Sequence, residues 1–288
     1  MTVLSAELFK QIRRIQIVST HLAKDIFAGV YRSAFKGKGM EFEEVREYQA
    51  GDEIRNIDWN VTARMGRPYV KNYREEWDLS VILVVDVSAS TRFGGQYGLK
   101  STLITKIGAV LAFSAIKNND KVGLLLFSDH VEKYIPPGKG TRHVLHIIRE
   151  LLVFEPQHQG SDLKNALHFL GNLQIRAGIC FLISDFFFPE CQRQMALTAA
   201  KHDLIAVAVT DSTEYTMPNL GLAEFQDLET GEKRIVDASK IASTQSQRLD
   251  NLRKMMNKIG ADLIDIRTDK SYVNVLRKFF KIRGERRR

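Results

Sequence analysis

Short apolar runs alternate with helix-patterned stretches along this chain, and no other feature limits its fold as strongly. Ser80-Val-Ile-Leu-Val-Val85, Lys121-Val-Gly-Leu-Leu-Leu-Phe127, Ile179-Cys-Phe-Leu-Ile183 and Leu204-Ile-Ala-Val-Ala-Val209 are strand-length and lack the polar alternation of a half-exposed sheet. A strand reads this way when both of its faces are buried, as in parallel sheets covered by helices on both sides. The stretches between carry helical spacing: 99–116 with Leu103, Ile107, Val110, Leu111 and Phe113 inward, 141–153, 162–172 capped by Ser161, and 190–201 after Pro189. Val131–Ile135 follows its predecessor too closely for a crossover helix, so it is expected antiparallel at the sheet edge. A β-hairpin around Thr230-Gly231 (222–236), a helix over 239–259, a strand over 261–266 and a helix over 270–281 complete the pattern. The predicted fold is α/β, a doubly wound, mostly parallel sheet with one antiparallel edge strand and a hairpin insertion.

Ahead of this lies a different kind of sequence. Leu4, Leu8, Ile12, Ile15, Leu22 and Ile26 place an amphipathic helix over 5–27, one face of which must dock. Residues 36–77 lose helical period and are punctuated by turns at Ala50-Gly51-Asp52 and Gly66-Arg67-Pro68. The division expected is 1–77 as helix and arm, 78–282 as the wound domain, and 283–288 as a basic tail. Within the arm, Asp52 and Asp58 are expected to pair with Arg55, Arg64 or Arg67, with Trp59 and Phe42 as buried anchors. Alternatively Arg64, Arg67 and Lys71, with Tyr69 and Tyr73, form a docking surface.

The net charge of +8 is concentrated at the ends: residues 1–40 carry seven Lys/Arg against two acids, and 281–288 five against one. A near-neutral body argues against a nucleic-acid face spread over the core, and 281–288 reads as a solvated end after Phe279 and Phe280, the last core residues. Apolar runs stay far below the ~18 residues of a membrane span, so a cytoplasmic protein is expected. Cys180 and Cys191 cannot build a disulfide framework, and no Cys or His cluster has zinc spacing.

Asp86-Val-Ser-Ala-Ser90 begins where the first buried strand ends, at the sheet edge where open α/β folds bind ligands. A carboxylate and two hydroxyls at alternate positions of a turn offer hard oxygens, which suit Mg²⁺ (or Mn²⁺). Ser161 in Gln159-Gly-Ser-Asp162 and Asp185 in Ile183-Ser-Asp185 fall at the same edge. Taken singly, each is also an ordinary cap or turn residue. The five residues expected to hold the metal are Asp86, Ser88, Ser90, Ser161 and Asp185.

This strand-Asp-x-Ser-x-Ser arrangement with Ser161 and Asp185 resembles the metal-ion-dependent adhesion site of von Willebrand factor A domains. That family commonly has threonine at the position of Ser161; serine keeps the hydroxyl. Gly39-Met-Glu-Phe-Glu-Glu-Val-Arg-Glu-Tyr-Gln-Ala-Gly-Asp52, Arg55-x-x-Asp58-Trp59, Ala63-Arg64 and Gly66-Arg67-Pro68 narrow the resemblance to the domain of unknown function 58 family, over about 36–210. The resemblance implies a non-enzymatic, Mg²⁺-dependent protein-binding module. Its implied partners are a MoxR-type AAA+ ATPase, a client offering an acidic side chain to the metal, or both. Two alternatives stand beside it. A Mg²⁺-dependent phosphoryl hydrolase would want a phosphate loop or an activated nucleophile, and Gly94-Gly95 is too short for the former. Nucleic-acid binding would use the basic ends.

Overall fold

A computed structural model describes residues 2–27, 41–74, 79–188, 191–214, 221–226, 228–229 and 231–286. Helix α1 (Thr2–Phe27) opens the chain, followed by β1 (Glu41–Glu47), α2 (Trp59–Met65) and β2 (Tyr69–Arg74). The alternating part contains β3 (Ser80–Asp86), α3 (Lys100–Lys117), β4 (Lys121–Phe127), β5 (Val131–Gly138), α4 (Thr141–Val153) and α5 (Leu163–Asn172). It continues through β6 (Ile179–Ser184), α6 (Gln192–Lys201) and β7 (Asp203–Thr210). The hairpin strands β8 (Leu222–Gln226) and β9 (Lys233–Asp237), then α7 (Ala238–Lys258), β10 (Asp262–Arg267) and α8 (Tyr272–Arg286), end it.

Six strands form the central sheet in the order β10-β7-β6-β3-β4-β5. All neighbours are parallel except β4 and β5, so the antiparallel strand lies at the edge, as expected. Alternation along β3 divides the core. Val81, Leu83 and Val85 pack with residues of α3, α4 and α8, and Ile82 and Val84 with residues of α5, α6 and α7.

Helix α3 is apolar nearly all round, with residues from Leu103 to Ala115 buried on several faces. Its outer side is covered by α1, whose Ala23 joins the same core cluster. This is where the amphipathic N-terminal helix docks, and it is why α3 lacks a polar face.

The chain divides into two compact units, 1–35 with 79–288, and 36–78. In the smaller unit β1 and β2 pair antiparallel, and Asp58 N-caps α2 by accepting from the Asn60 and Val61 amides. The expected arm pairings are not the ones formed. Asp52 takes a two-point ion pair from Arg46 at 2.7 and 2.8 Å, Lys71 lies 3.5 Å from Asp58, and Arg67 meets Glu47 at 3.3 Å. Trp59 is 67% exposed and is no anchor. As the first residue of a seven-residue helix whose N-terminus is capped by Asp58, it is turned outward; Val70, 2% exposed, is buried instead. The Phe42 side chain lies outside the described residues.

The expected basic tail is also revised. Helix α8 continues to Arg286, and Arg283 is buried between Asp203 of β7 and Asp262 of β10. A guanidinium can serve two carboxylates at once, and this one fastens the start of two neighbouring strands to the last helix.

Removing one partner of a buried pair costs roughly 3–5 kcal/mol. Asp203 and Asp262 keep 26% and 34% of their side-chain exposure, so water recovers part of that loss. Arg283→Ala should therefore cost about 2 kcal/mol and lower the thermal midpoint by about 4–8 °C. A calorimetric scan showing no shift would remove this cluster from the stability of the domain.

Candidate metal centre

The chain winds outward from β3 through β4 and β5, then crosses back to β6 on the other side of β3. The carboxyl ends of β3 and β6 therefore diverge around a crevice, the switch point where such sheets take ligands. Asp86 is the last residue of β3, and Asp185 directly follows β6.

Local turn chemistry fixes the first loop. The Asp86 Oδ1 accepts from the Ser88 amide at 2.9 Å, and Thr91 Oγ1 donates to the Ser88 carbonyl at 2.8 Å, starting a single 3₁₀ turn over Ala89–Arg92. The Ala89 amide donates to the Gln159 carbonyl at 2.9 Å, which ties this loop to the one bearing Ser161. Ser161 does not cap α5; Asp162 does, accepting from the Lys164 and Asn165 amides. A carboxylate accepts two amides better than a hydroxyl does, and the Ser161 hydroxyl is left to donate to Asp86 Oδ2 at 3.2 Å.

Ser184 donates to the same oxygen at 2.7 Å, and the Ser88 and Ser90 hydroxyls lie 3.1 Å apart. Four of the five predicted residues, Asp86, Ser88, Ser90 and Ser161, are thus joined in one hydrogen-bonded cluster. Asp185 stands near enough for its charge to act on Asp86 but is held by other partners.

Those partners were not foreseen. Lys100, 1% exposed, donates from Nζ to Asp185 Oδ2 at 2.7 Å and to Glu214 Oε1 at 2.8 Å. Its ammonium also lies 5.2 Å from the Phe187 ring centre and 5.6 Å from that of Phe93. Arg248 of α7 donates to the Asp185 carbonyl at 3.0 Å, and its guanidinium carbon sits 3.2 Å from the Phe187 ring centre. Between these contacts the chain turns through Phe186, whose φ of 59° is unfavourable for a side chain with a Cβ. The Ser184 hydroxyl accepts the Phe186 amide at 2.8 Å and Asp185 Oδ1 the Phe187 amide at 3.2 Å, which hold that turn.

The electrostatics are those of a site short of positive charge. Burial, and then the neighbouring charge of Asp185, push the Asp86 carboxyl up to about 6. Burial works against the Lys100 ammonium, but Asp185 and Glu214 outweigh it and hold the amine above the ordinary lysine range. Burial likewise raises Glu214, which Lys100 only partly offsets because it shares that cation with Asp185. The donor set at Asp86, its carboxylate with the hydroxyls of Ser88, Ser90, Ser161 and Ser184, is all hard oxygen and fits Mg²⁺. Soft metals would want thiolate or imidazole, and the buried thiols Cys180 and Cys191 take no part in the cluster. The proposed docking residues belong to the smaller unit: Arg64 is exposed, while Arg67 and Lys71 are engaged with Glu47 and Asp58.

A family profile described as "Protein of unknown function DUF58" matches residues 44–254, well over half of the chain, starting eight residues later than the 36–210 of the motif resemblance and reaching past its C-terminal end. The uncharacterized protein Rv1480 of Mycobacterium tuberculosis is 27% identical over 270 residues, 91% of this chain and 85% of that one. The uncharacterized protein YeaD of Bacillus subtilis is 25% identical over 109 residues, 38% of this chain and 25% of its own. Among solved structures, similarity extends to a conserved hypothetical protein BatB from Bacteroides thetaiotaomicron, with TM-score 0.47 and 15% identity over 73% of this chain and 98% of that one. It extends also to the SpRpn10 VWA domain, with TM-score 0.40 and 9% identity over 69% of this chain and 93% of that one. Among the described residues, no helix is long and apolar enough to cross a membrane.

Two predictions follow the charges. Between the ordinary carboxyl value of 3.8 and about 6, folded Asp86 keeps a proton that the unfolded chain has released. Stability of the metal-free protein therefore falls as pH rises through that window, on the order of a few kcal/mol. Asp86→Asn has no carboxyl to titrate, so urea titrations across the window should give it a flatter profile; parallel profiles would refute the assignment. Lys100→Met leaves Asp185 and Glu214 buried without their ammonium and should cost roughly 3–5 kcal/mol in the same measurement.

Proposed function

This chain belongs to the DUF58 family, and on that footing we propose that it is a non-enzymatic, Mg²⁺-dependent protein-binding module. One observation carries the reading: Asp86, Ser88, Ser90 and Ser161 converge through hydrogen bonds at the switch point of the sheet, around a buried carboxylate to which no ammonium is hydrogen-bonded among the described residues. These residues would hold the ion, with Asp185 beside them, and a bound Mg²⁺ would supply a Lewis-acidic position for a carboxylate of another protein.

The chain's own groups prepare that encounter. Ser161 and Ser184 orient Asp86 from one side, and the Ser88 amide fixes it from the other. Lys100 draws Asp185 toward Glu214, which leaves Asp86 as the carboxylate closest to the serine hydroxyls. Phe187, 41% exposed, and the guanidinium of Arg248 flank the Asp185 turn with an apolar face and a positive charge, both complementary to an acidic side chain on an apolar peptide. The partner proposed is a MoxR-type AAA+ ATPase, a client presented to it, or both, in the assembly of complexes or the response to stress.

Among the described residues no activated nucleophile is formed in this cluster: Lys100 is committed to two carboxylates, and none of the serines hydrogen-bonds a histidine. That favours binding over hydrolysis.

Mg²⁺ at a hundred times its dissociation constant adds about 2.7 kcal/mol, which should raise the midpoint of wild type by about 5–10 °C and leave Asp86→Ala unmoved. Association with the ATPase, followed by surface resonance, should appear in Mg²⁺, vanish in chelator and be absent in Asp86→Ala. Equal binding in chelator by folded protein would sink the metal-receptor reading. Metal-dependent phosphatase turnover lost in Asp86→Ala would put a hydrolase in its place.

A further inference from the structure

A second group of ligating side chains lies outside the cluster around Asp86. Asp129 and His130 stand on the turn between β4 and β5, and His158 on the connection from α4 to α5, so 28 residues of sequence hide their meeting. One ligand atom from each lies within 4.8 Å of the others. The Asp129 Oδ1 faces both imidazoles, 2.9 Å from His130 Nδ1 and 3.7 Å from His158 Nδ1. The two rings stack, with centres 4.3 Å apart and planes 24° from parallel.

The surroundings hold the three in place. The Ser128 amide donates to the His130 carbonyl at 2.8 Å, closing the turn, and Asp162 donates from its amide to the Ser128 carbonyl at 2.9 Å. Glu132 Oε1 accepts from Ser128 Oγ at 2.7 Å and from the His158 amide at 3.2 Å, binding the two segments to each other. Ser128 Oγ also lies 3.2 Å from Asp129 Oδ1. This is the arrangement a metal site needs: ligands from two segments, and a second carboxylate that ties those segments together without competing for the ion.

We propose that Asp129, His130 and His158 form a site for a transition divalent cation, with Zn²⁺ as its representative. Two imidazole nitrogens and one carboxylate oxygen are borderline ligands that Zn²⁺ binds at about 2.0–2.2 Å. The His130 and Asp129 side chains are 61% and 42% exposed and that of His158 is 44% exposed. Because the rings stack, they must rotate out of the stack before both in-plane nitrogens meet one ion, which their exposure leaves room for, and solvent takes the remaining position. The ion replaces the proton shared between Asp129 and His130 and brings in His158. It therefore fastens the β4–β5 turn to the loop that presents Gln159 and Ser161, two residues that contact the Asp86 loop.

The site does not depend on Mg²⁺ binding. Calorimetric titration of tag-free, chelator-dialysed full-length protein with ZnCl₂ above neutral pH should give one saturable site per chain. His130→Ala and His158→Ala should each weaken it at least about tenfold, while Asp86→Ala keeps it. Thermal midpoints of the apo variants should match wild type, since both rings are exposed. No saturable Zn²⁺ binding in wild type, or binding that survives the double His130→Ala/His158→Ala change, would overturn the proposal. Loss of binding in Asp86→Ala with both histidines present would overturn it as well, by moving the ion to the other cluster.

Discussion

Strand β3 is paired on both edges and covered on both faces, so Val81 to Val85 are at most 1% exposed. Its backbone groups are satisfied by β4 and β6, and its side chains by two opposing layers of helices. A chain in this position can carry no polar side chain until it leaves the sheet, because an unpaired polar group there would cost several kcal/mol. Asp86, the last residue of the strand, stands at that limit. It remains buried, at 1%, and is satisfied as a polar group by hydrogen bonds from Ser88, Ser161 and Ser184. The loops bearing those donors are therefore not free to be placed elsewhere, and the site inherits the position of the strand.

The same burial governs the charges. Three acidic groups, Asp86, Asp185 and Glu214, share a region in which one ammonium is fully enclosed. Lys100 satisfies two of them at hydrogen-bond distance, and ring faces of Phe93 and Phe187 shield it from water. Such an arrangement is costly to bury and costlier to break, since losing either partner strands the other. The strained backbone at Phe186 belongs to the same compromise. Ser184, which faces Asp86, and Asp185, which faces Lys100, also accept the Phe186 and Phe187 amides and so hold that turn.

Much of this was legible in the sequence. The core strands, their helices, the antiparallel edge and the hairpin follow from apolar runs and turn residues, because burial on two faces erases polar alternation in a recognisable way. The convergence of Asp86, Ser88, Ser90 and Ser161 was legible because strand ends of one wound sheet share an edge, although each residue alone reads as an ordinary cap or turn. Lys100 was not. A lysine opening a helix reads as a solvated side chain, although a cation in the first turn opposes the helix dipole and could have been noticed for that. Glu214 and Arg248 are tertiary partners with no local signature. Arg283 hid in a run of basic residues that composition assigns to solvent. In the smaller unit, Arg67 meets Glu47 across a hairpin whose register sets Glu47 opposite Tyr69, and Arg46 reaches Asp52 around a local turn, neither of which charge spacing encodes. Asp129, His130 and His158 meet only because the fold brings a hairpin turn to an interhelical loop.

Helix α7 begins one residue after β9, so the exposed hairpin and the helix are one continuous piece of backbone. Leu222 and Ile235 of the hairpin are 76% and 73% exposed, while Arg248, ten residues and about 15 Å along the helix, grips the Asp185 carbonyl. A helix is stiff along its axis and has no slack to absorb displacement. Traction on the hairpin therefore reaches Arg248 along continuous backbone and passes through its hydrogen bond to the turn that carries Asp185, a handle at one end of a rod whose midpoint holds that turn.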